Sequence, residues 1–207
     1  MLFRSGENLL EGAISFIDLN SEITLFSAYL KLDSLKKLNK SGNIKEIVVR
    51  WDIKDLCIGV SDFEKLYDYC RENNILLYRN TRLHAKVFWN NFNKVFLGSA
   101  NVTGRGLASV GDKFNFELNA QFFDISTNDI LYLKKILKQS KLVSESHFKE
   151  LLEKVEIGNK LTESKYPVLE TVPEKEDSFL LSQLPMSISP EKVWNIYLDT
   201  NKKNILK

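Results

Sequence analysis

The sequence predicts an α/β protein: an α-β-α sandwich around a mixed, largely parallel central sheet, followed by a helical C-terminal extension. Three observations predict this fold class. Short apolar runs alternate with stretches whose apolar residues recur at helical spacing. Ile47, Val48 and Val49 form a continuous apolar run, which is typical of a strand covered on both faces. Two later strands flank a short polar turn, and this hairpin makes the sheet mixed.

Helices and strands alternate in the first half of the chain. The first helix carries its leucines and isoleucines on one face, as expected for a helix packed on a sheet. Ser61 and Glu64 have the spacing of a capping box, which predicts the start of the third helix. The predicted helices cover residues 6–19, 32–38 and 62–72, and the predicted strands cover residues 23–28, 44–51 and 75–78.

The second half begins with the hairpin and ends in a region of different composition. The predicted strands cover residues 84–89, 94–97 and 116–123, and the predicted helices cover residues 128–137 and 144–155. Residues 162–177 are charged, contain two prolines and indicate a linker or an extended strap. Ser189 opens a last helix, with Pro190 at its first position. We therefore expect one domain over residues 1–142 and an extension of unknown role over residues 143–207.

The bulk composition bounds the function without identifying it. The 207 residues suffice for one buried domain with an appendage. A formal net charge of +2 is too small to indicate a nucleic-acid partner, so any basic surface has to be local. The sequence shows neither the apolar core of a signal peptide nor a run as long as a membrane span. With Cys57 and Cys70 interpreted as reduced thiols, we expect a cytoplasmic protein without a membrane partner.

One short stretch carries the residues most directly tied to chemistry. His84 and Lys86 are two positions apart, so both side chains leave the same face of the predicted strand. Gly98 follows Lys86 by 12 residues and precedes Ser99, and Asn101 comes two positions further on. A hairpin returns its second strand beside its first. We therefore expect Ser99 and Asn101 near the His84 end of the sheet.

This pattern resembles the signature of the phospholipase D superfamily, in which His-x-Lys is followed by four residues, Asp, six residues and Gly-Ser/Gly-x-Asn. The residues just named match it at the same spacing, whereas Asn91 stands where the family usually has Asp. Because asparagine forms turns as well as aspartate does, we expect Asn91 in the hairpin turn. Asn115 and Glu117 resemble the Asn-x-Glu that opens the next strand in many members. The resemblance covers roughly residues 20–140, and residues 48–64 are also similar to bacterial stand-alone members.

The resemblance implies a catalytic role for each matching residue, with no metal and no cofactor. His84 attacks phosphorus through a neutral ring nitrogen and forms a phosphohistidine intermediate. Lys86 supplies positive charge, and Ser99 and Asn101 donate hydrogen bonds to the non-bridging oxygens. Glu117 orients the histidine and stabilises its imidazolium form.

The implied reaction needs a second histidine, which protonates the leaving oxygen. His147 is the other histidine of the chain, and its charged, helical surroundings indicate a surface residue. Superfamily members with one motif pair two subunits across a two-fold axis. The resemblance therefore implies a homodimer with one shared site.

Three arginines are candidates for binding substrate phosphates. Arg50 ends a predicted strand, Arg82 precedes the motif, and Arg105 lies in a glycine-containing loop. A guanidinium group suits a phosphate because it donates several hydrogen bonds from one plane. For each arginine a structural or surface role is the alternative.

Three functions remain open at this stage. The first is a metal-independent phosphodiesterase, an endonuclease that cleaves DNA in restriction or phage defence and works with a larger partner such as an ATPase. The second is a phospholipase or phosphatidyltransferase, although such enzymes usually carry two motifs or a membrane segment. The third is a non-catalytic nucleic-acid-binding module that needs a partner, which the presence of both His84 and Lys86 argues against. The sequence favours the endonuclease, with DNA as the expected substrate.

Overall fold

One eight-stranded sheet runs through residues 2–165, the part of the chain that the computed structural model describes. Its strand order is β1-β7-β6-β5-β2-β3-β4-β8. The strands are β1 Leu2–Arg4, β2 Ile23–Ser27, β3 Ile44–Val49, β4 Leu76–Arg79, β5 Lys86–Trp89, β6 Val95–Gly98, β7 Leu118–Phe122 and β8 Lys141–Leu142. The helices are α1 Leu9–Asp18, α2 Leu32–Leu38, α3 Ile53–Cys57, α4 Phe63–Glu72, α5 Thr127–Lys138 and α6 Glu145–Lys165.

The sheet is mixed, as predicted, but the expectation that it is largely parallel was wrong. Only the β2-β3 and β3-β4 pairs are parallel, and the other five pairs are antiparallel. The reason lies in the connections. A parallel pair needs a crossover, and helices supply one between β2 and β3 and between β3 and β4. No helix separates β5, β6 and β7, so each of these strands returns beside the previous one.

Helices cover the two faces of the sheet unequally. The larger core packs one face against α1, α2, α3, α4 and α6, with Leu25, Ile47 and Phe96 among its fully buried sheet residues. The smaller core packs the other face against α5, where Val87 and Leu133 meet. The sandwich is therefore thick on one side, whereas within residues 2–165 a single helix covers the other.

The predicted capping box at the third helix was wrong. The Ser61 hydroxyl accepts a hydrogen bond from the amide of Leu30 at 3.2 Å, so it is not available to the first turn of α4. Asp62 occupies the N-cap position, and its carboxylate accepts the amide of Leu32 at 2.9 Å. Both residues tie α4 to the segment after β2. A tertiary contact has replaced the local one that the spacing indicates.

Helix α6 belongs to the core of the described region. The Phe148 ring stacks on Tyr67 with ring centroids 3.9 Å apart, and Leu151 and Val155 are buried in the larger core. The helix continues to Lys165, so the first residues of the predicted strap are helical. The rest of that strap and the helix predicted at Ser189 lie outside the described residues. A division of the chain between residues 142 and 143 stays a prediction. No helix within residues 2–165 combines the length and the apolar composition needed to cross a membrane.

Candidate active site

The matching motif residues lie at one edge of the sheet. Lys86 opens β5, and His84 comes just before it. Ser99 and Asn101 follow the end of β6, and Glu117 precedes β7. These strands are antiparallel neighbours, so the end of β6 lies beside the starts of β5 and β7. The hairpin prediction is confirmed, since Val87 pairs with Leu97 and Trp89 with Val95.

The side chains of His84 and Lys86 are in contact. The Nζ of Lys86 lies 3.3 Å from the Nε2 of His84 and donates to the His84 carbonyl at 2.7 Å. Burial lowers the pKa of Lys86, the Glu117 charge partly offsets this, and the Arg50 charge lowers that pKa further. An ammonium group only donates hydrogen bonds, so beside a charged Lys86 the Nε2 atom carries the lone pair. The ring is solvent-exposed, so His84 lies at the mouth of the site with its Nε2 against Lys86.

Asn101 is oriented by the backbone that follows β2. Its Oδ1 accepts a hydrogen bond from the amide of Tyr29 at 3.2 Å. The opposite end of the side chain, Nδ2, is therefore the end left to donate toward a ligand. The loop after Asn101 closes tightly, since the amide of Thr103 donates to the Asn101 carbonyl at 2.8 Å. A Cβ on Gly106 would lie 2.4 Å from that carbonyl oxygen, so glycine is required for this turn.

Ser99 and Glu117 form a second contact pair. The Ser99 hydroxyl donates to the Glu117 carboxylate and accepts from the amide of Leu118 at 3.1 Å. The predicted hydrogen bond from Ser99 to a phosphoryl oxygen would replace the bond to Glu117. Within the described region Glu117 makes no hydrogen bond to His84, although its charge acts on Lys86. The predicted roles of Ser99 and Glu117 stay predictions.

Gly98 is fixed by the close approach of β6 and β7. It pairs with Asn119, whose side chain is buried and accepts from the amide of Ala100 at 3.3 Å. A Cβ on Gly98 would lie 2.3 Å both from the Oδ1 of Asn119 and from the carbonyl oxygen of Leu118. The glycine of the signature therefore makes room for the neighbouring strand.

Arg50 lies behind the site in a hydrogen-bonded network. Its Nε donates to the Asp55 carboxylate at 2.7 Å, and its Nη2 also donates to the Tyr29 hydroxyl. Burial alone would lower the pKa of Arg50, but the hydrogen bond and charge of Asp55 outweigh it, and the pKa is raised. The Asp55 carboxylate balances much of the guanidinium charge. Arg50 holds the Tyr29 hydroxyl, and it stays a candidate for binding a phosphate. Sequence patterns gave no signal for Tyr29, which follows β2, or for Asp55, which lies in helix α3.

The other two arginines differ in their contacts. Arg82 is exposed, donates to the Oε1 of Gln139 at 3.0 Å and lines the same cavity as His84. Arg105 is exposed in the loop after β6, and its side chain contacts no partner within residues 2–165. The structure therefore brings Arg82 beside His84, and a phosphate-binding role for Arg105 stays a prediction.

Asn91 lies in the hairpin turn, as predicted, at the end of β5 opposite His84. Its backbone adopts a φ of 60°, a conformation that asparagine tolerates better than most residues. Its Nδ2 donates to the Glu22 carbonyl at 2.6 Å, and its Oδ1 accepts from the Thr24 hydroxyl at 2.8 Å. The departure from the signature therefore concerns the turn, at the end of β5 away from His84 and Lys86.

His147 is not part of the site, and its prediction as a surface residue was wrong. It is 6% exposed and lies near β8, at the far edge of the sheet. Its Nδ1 lies 3.2 Å from the Nζ of Lys141 and 3.4 Å from the Glu150 carboxylate. Burial lowers the pKa of His147, the hydrogen bond to the Glu150 carboxylate opposes this, and the charges of Lys141 and Arg79 lower that pKa further. The residue belongs to the packing of α6.

The described region shows no cluster of three or more histidine, cysteine, aspartate or glutamate side chains that could hold a metal ion. The predicted independence from metals is a statement about the reaction and stays a prediction.

Comparison with solved structures identifies the fold. The phospholipase D family member Nuc from Salmonella typhimurium matches with a TM-score of 0.51 and 16% identity, over 69% of this chain and 97% of that one. Phosphatidylserine synthase from Haemophilus influenzae matches with a TM-score of 0.50 and 15% identity, over 75% of this chain and 41% of that one. NucT from Helicobacter pylori matches with a TM-score of 0.47 and 18% identity, over 69% of this chain and 99% of that one.

The chain thus has the phospholipase D fold, which confirms the predicted resemblance at the level of the fold. Comparison with protein-family models gave no match, and comparison with curated proteins gave none either.

Proposed function

We propose that the chain is a metal-independent phosphodiesterase that cleaves nucleic acid, with DNA as the expected substrate. The observation that carries the proposal is the exposed His84 ring, whose Nε2 lies 3.3 Å from the buried ammonium group of Lys86. A nucleophile beside a fixed positive charge suits an anionic phosphodiester, which repels other nucleophiles. The fold shared with Nuc supports the same chemistry.

In the proposed reaction His84 is the nucleophile. Its Nε2 attacks phosphorus, the bond to the leaving oxygen breaks, and a phosphohistidine forms. The leaving oxygen takes its proton from a second histidine. Water then attacks phosphorus, gives its proton to that second histidine, and the P–N bond breaks to restore His84. Throughout, Lys86 and the Nδ2 of Asn101 stabilise the charge on the non-bridging oxygens.

The second histidine, in this proposal, is His84 of another copy of the chain. His147 is buried near the far edge of the sheet, so it cannot serve. The thinly covered face of the sheet also exposes apolar side chains, with Leu97 37% and Leu118 48% exposed, and Phe116, just before β7, is 96% exposed. Contiguous exposed apolar surface of this kind marks an interaction site. A second copy placed across it would cover these side chains and complete the site.

Digestion of nucleic acid in excess chelator tests the proposed function. We expect plasmid or single-stranded DNA to be cut at an unchanged rate, and the His84→Ala protein to be inactive. Activity that is lost in chelator and restored by magnesium would overturn the mechanism. Vesicles of phosphatidylcholine are the comparison substrate, and their preferred hydrolysis would make the chain a lipid enzyme. If DNA is cut, loss of protection against phage in cells carrying His84→Ala would place the cleavage in defence.

A further inference from the structure

A cavity of about 460 Å³ opens beside His84, between the start of β5 and the C-terminal half of α5. Arg82, Tyr132, Lys135 and Gln139 line it together with His84. The hydrogen bond from Arg82 to Gln139 joins the loop before β5 to the end of α5. The volume is within the range of pockets that hold small ligands.

A second cavity, of about 530 Å³, continues from the first along α5. Leu131, Lys134 and Lys138 line it, and it shares Lys135 and Gln139 with the first cavity. The second cavity is lined by α5 residues alone and shares two of them with the first, so the two are adjacent parts of one surface. We call it the α5 groove. It leads from the exposed ring of His84 over the C-terminal half of α5.

The α5 groove is strongly basic although the whole chain carries a net charge of only +2. Neither of its cavities is lined by aspartate or glutamate. Within the described region, the ammonium groups of Lys134, Lys135 and Lys138 form no salt bridge, so their charge is uncompensated. The acidic residue in the first turn of the helix, Asp129, is engaged in a capping box with Ser126. Such a local excess of positive charge attracts a polyanion.

Tyr132 gives the groove an aromatic surface. Its side chain is 63% exposed and lines the cavity that contains His84. Grooves that bind single-stranded nucleic acid combine positive charge along the backbone with exposed aromatic rings on which bases stack. The bases of a duplex are already stacked on each other, so an exposed ring in a narrow groove favours a single strand.

We propose that the α5 groove binds the single-stranded nucleic acid that flanks the phosphate at His84, an inference that rests on the proposed function. Tyr132 stacks on the neighbouring base, and Arg82, Lys135 and Lys138 bind the following phosphates. A lipid headgroup fits less well, because it has no base to stack on the exposed Tyr132 ring.

The test is the KM for cleavage of a fluorogenic single-stranded oligonucleotide about 12 nucleotides long, within the usual site sizes of such grooves. The full-length double variant Lys135→Glu/Lys138→Glu should raise KM at least about tenfold. The slope of the logarithm of the binding constant against the logarithm of the salt concentration should become shallower by about one to two. Tyr132→Ala should raise KM about tenfold through the lost stacking. Lys37→Glu, an exposed lysine on α2 at the other face of the sheet, is the matched control and should leave KM unchanged.

The outcomes separate this inference from the proposed function. Hydrolysis of bis(4-nitrophenyl) phosphate by the wild-type protein reports the active site alone, and its absence would count against the proposed function. If the wild-type protein cleaves both substrates and the groove variants keep the wild-type KM for the oligonucleotide, the groove has no part in binding and the inference is wrong. It is also wrong if the double variant loses binding to phosphatidylserine vesicles and not to the oligonucleotide, because the lysines would then face a membrane.

Discussion

The two residues at the centre of the site differ in burial, so a substitution at one tests its proposed chemical role alone and a substitution at the other also affects packing. The Lys86 side chain is 8% exposed, whereas the His84 ring faces solvent. His84 can therefore be changed at little structural cost, while Lys86 also fills space between the strands. Two variants follow from this difference.

Removing the nucleophile should abolish turnover without affecting folding. We expect His84→Ala to be inactive on DNA, because no other described side chain offers a nucleophile beside Lys86. Its melting temperature should match the wild-type value, since exposed substitutions away from packing contacts cost little. Purified His84→Ala that turns over DNA at the normal rate would remove the basis of the mechanism.

Replacing the ammonium group should reduce turnover while the packing is kept. Lys86→Met retains an unbranched chain in the buried position and loses the charge and the hydrogen bond to the His84 carbonyl. We expect kcat to fall about a hundredfold or more, as when one stabilising donor is removed from a transition state. The measurement pairs kcat with thermal unfolding. A folded Lys86→Met protein of wild-type activity would show that this charge has no catalytic role.

At this scale the sequence predicts the contacts that depend on local periodicity and misses those made across the sheet. His84 and Lys86 lie together because side chains two apart share a face of a strand. Tyr29 meets Arg50 because β2 and β3 are adjacent in the sheet, which the spacing of the two residues in the sequence does not show.

The elements meet most tightly where β6 runs beside β7. An alanine at position 98 would place its Cβ 2.3 Å from the backbone carbonyl of Leu118, which cannot move without breaking the strand pairing. We expect Gly98→Ala to destabilise the protein by about 1–3 kcal/mol. Gly104→Ala is the control, because a Cβ there has no neighbour within 4 Å. Equal denaturant midpoints for both variants would contradict the tight approach of these strands.

The packing of α6 should depend on pH through His147. Its pKa is lowered in the folded protein, so the unfolded chain binds the proton more readily. The stabilisation that comes from keeping His147 neutral is therefore complete above the unfolded pKa of 6.5. It is lost as the pH falls below 6.5 and through the lower pKa of the folded protein. Protonation would place a charge beside Lys141 and Arg79, with Glu150 as the one facing acid. Urea unfolding between pH 5 and about pH 7.5 measures the loss.

His147→Gln is the matched variant for that experiment, because glutamine does not titrate. The wild-type protein should lose more stability than the variant as the pH falls. Parallel curves for the two proteins would mean that His147 has no part in the pH dependence.

At the level of elements, the sequence predicts strands and helices with clear periodicity and fails where tertiary contacts decide. The hairpin β5-β6 and helix α2 lie where the pattern predicts. Ser61 has the spacing of a helix cap, yet it binds the amide of Leu30, which no local pattern reveals. The short elements β1, α3 and β8 have too few residues for a periodic signal.

Over residues 2–165 helices cover the two faces of the sheet unequally, and the chain offers one of the two histidines that the proposed reaction needs. The predicted sandwich and mixed sheet are confirmed, whereas the balance of parallel and antiparallel strands was wrong. The antiparallel edge strands β1 and β8 are too short for a periodic signal, and hydrophobic patterns do not reveal that β5 pairs with β2.

The dimer should be measurable as a mass and as a cooperative loss of activity. Sedimentation should give about twice the chain mass of 23.9 kDa. Phe116→Lys should shift the protein toward monomers, because it places a charge on the exposed apolar face.

Mixed dimers provide the second measurement. Co-expression of equal amounts of wild-type and His84→Ala chains gives random pairing, so the activity should fall to about a quarter if both histidines are needed. A fall to only about half, or an active monomer at assay concentration, would mean that each chain carries a complete site.

The turn at Asn91 has a consequence for how such proteins are found. The position is defined by a backbone angle and by two local hydrogen bonds, one of which, to the Glu22 carbonyl, requires a donor that an ionised aspartate lacks. A search pattern that demands aspartate there selects one of several chemical solutions to a turn. Such a pattern would discard this chain, although its residues match the rest of the signature at the same spacing.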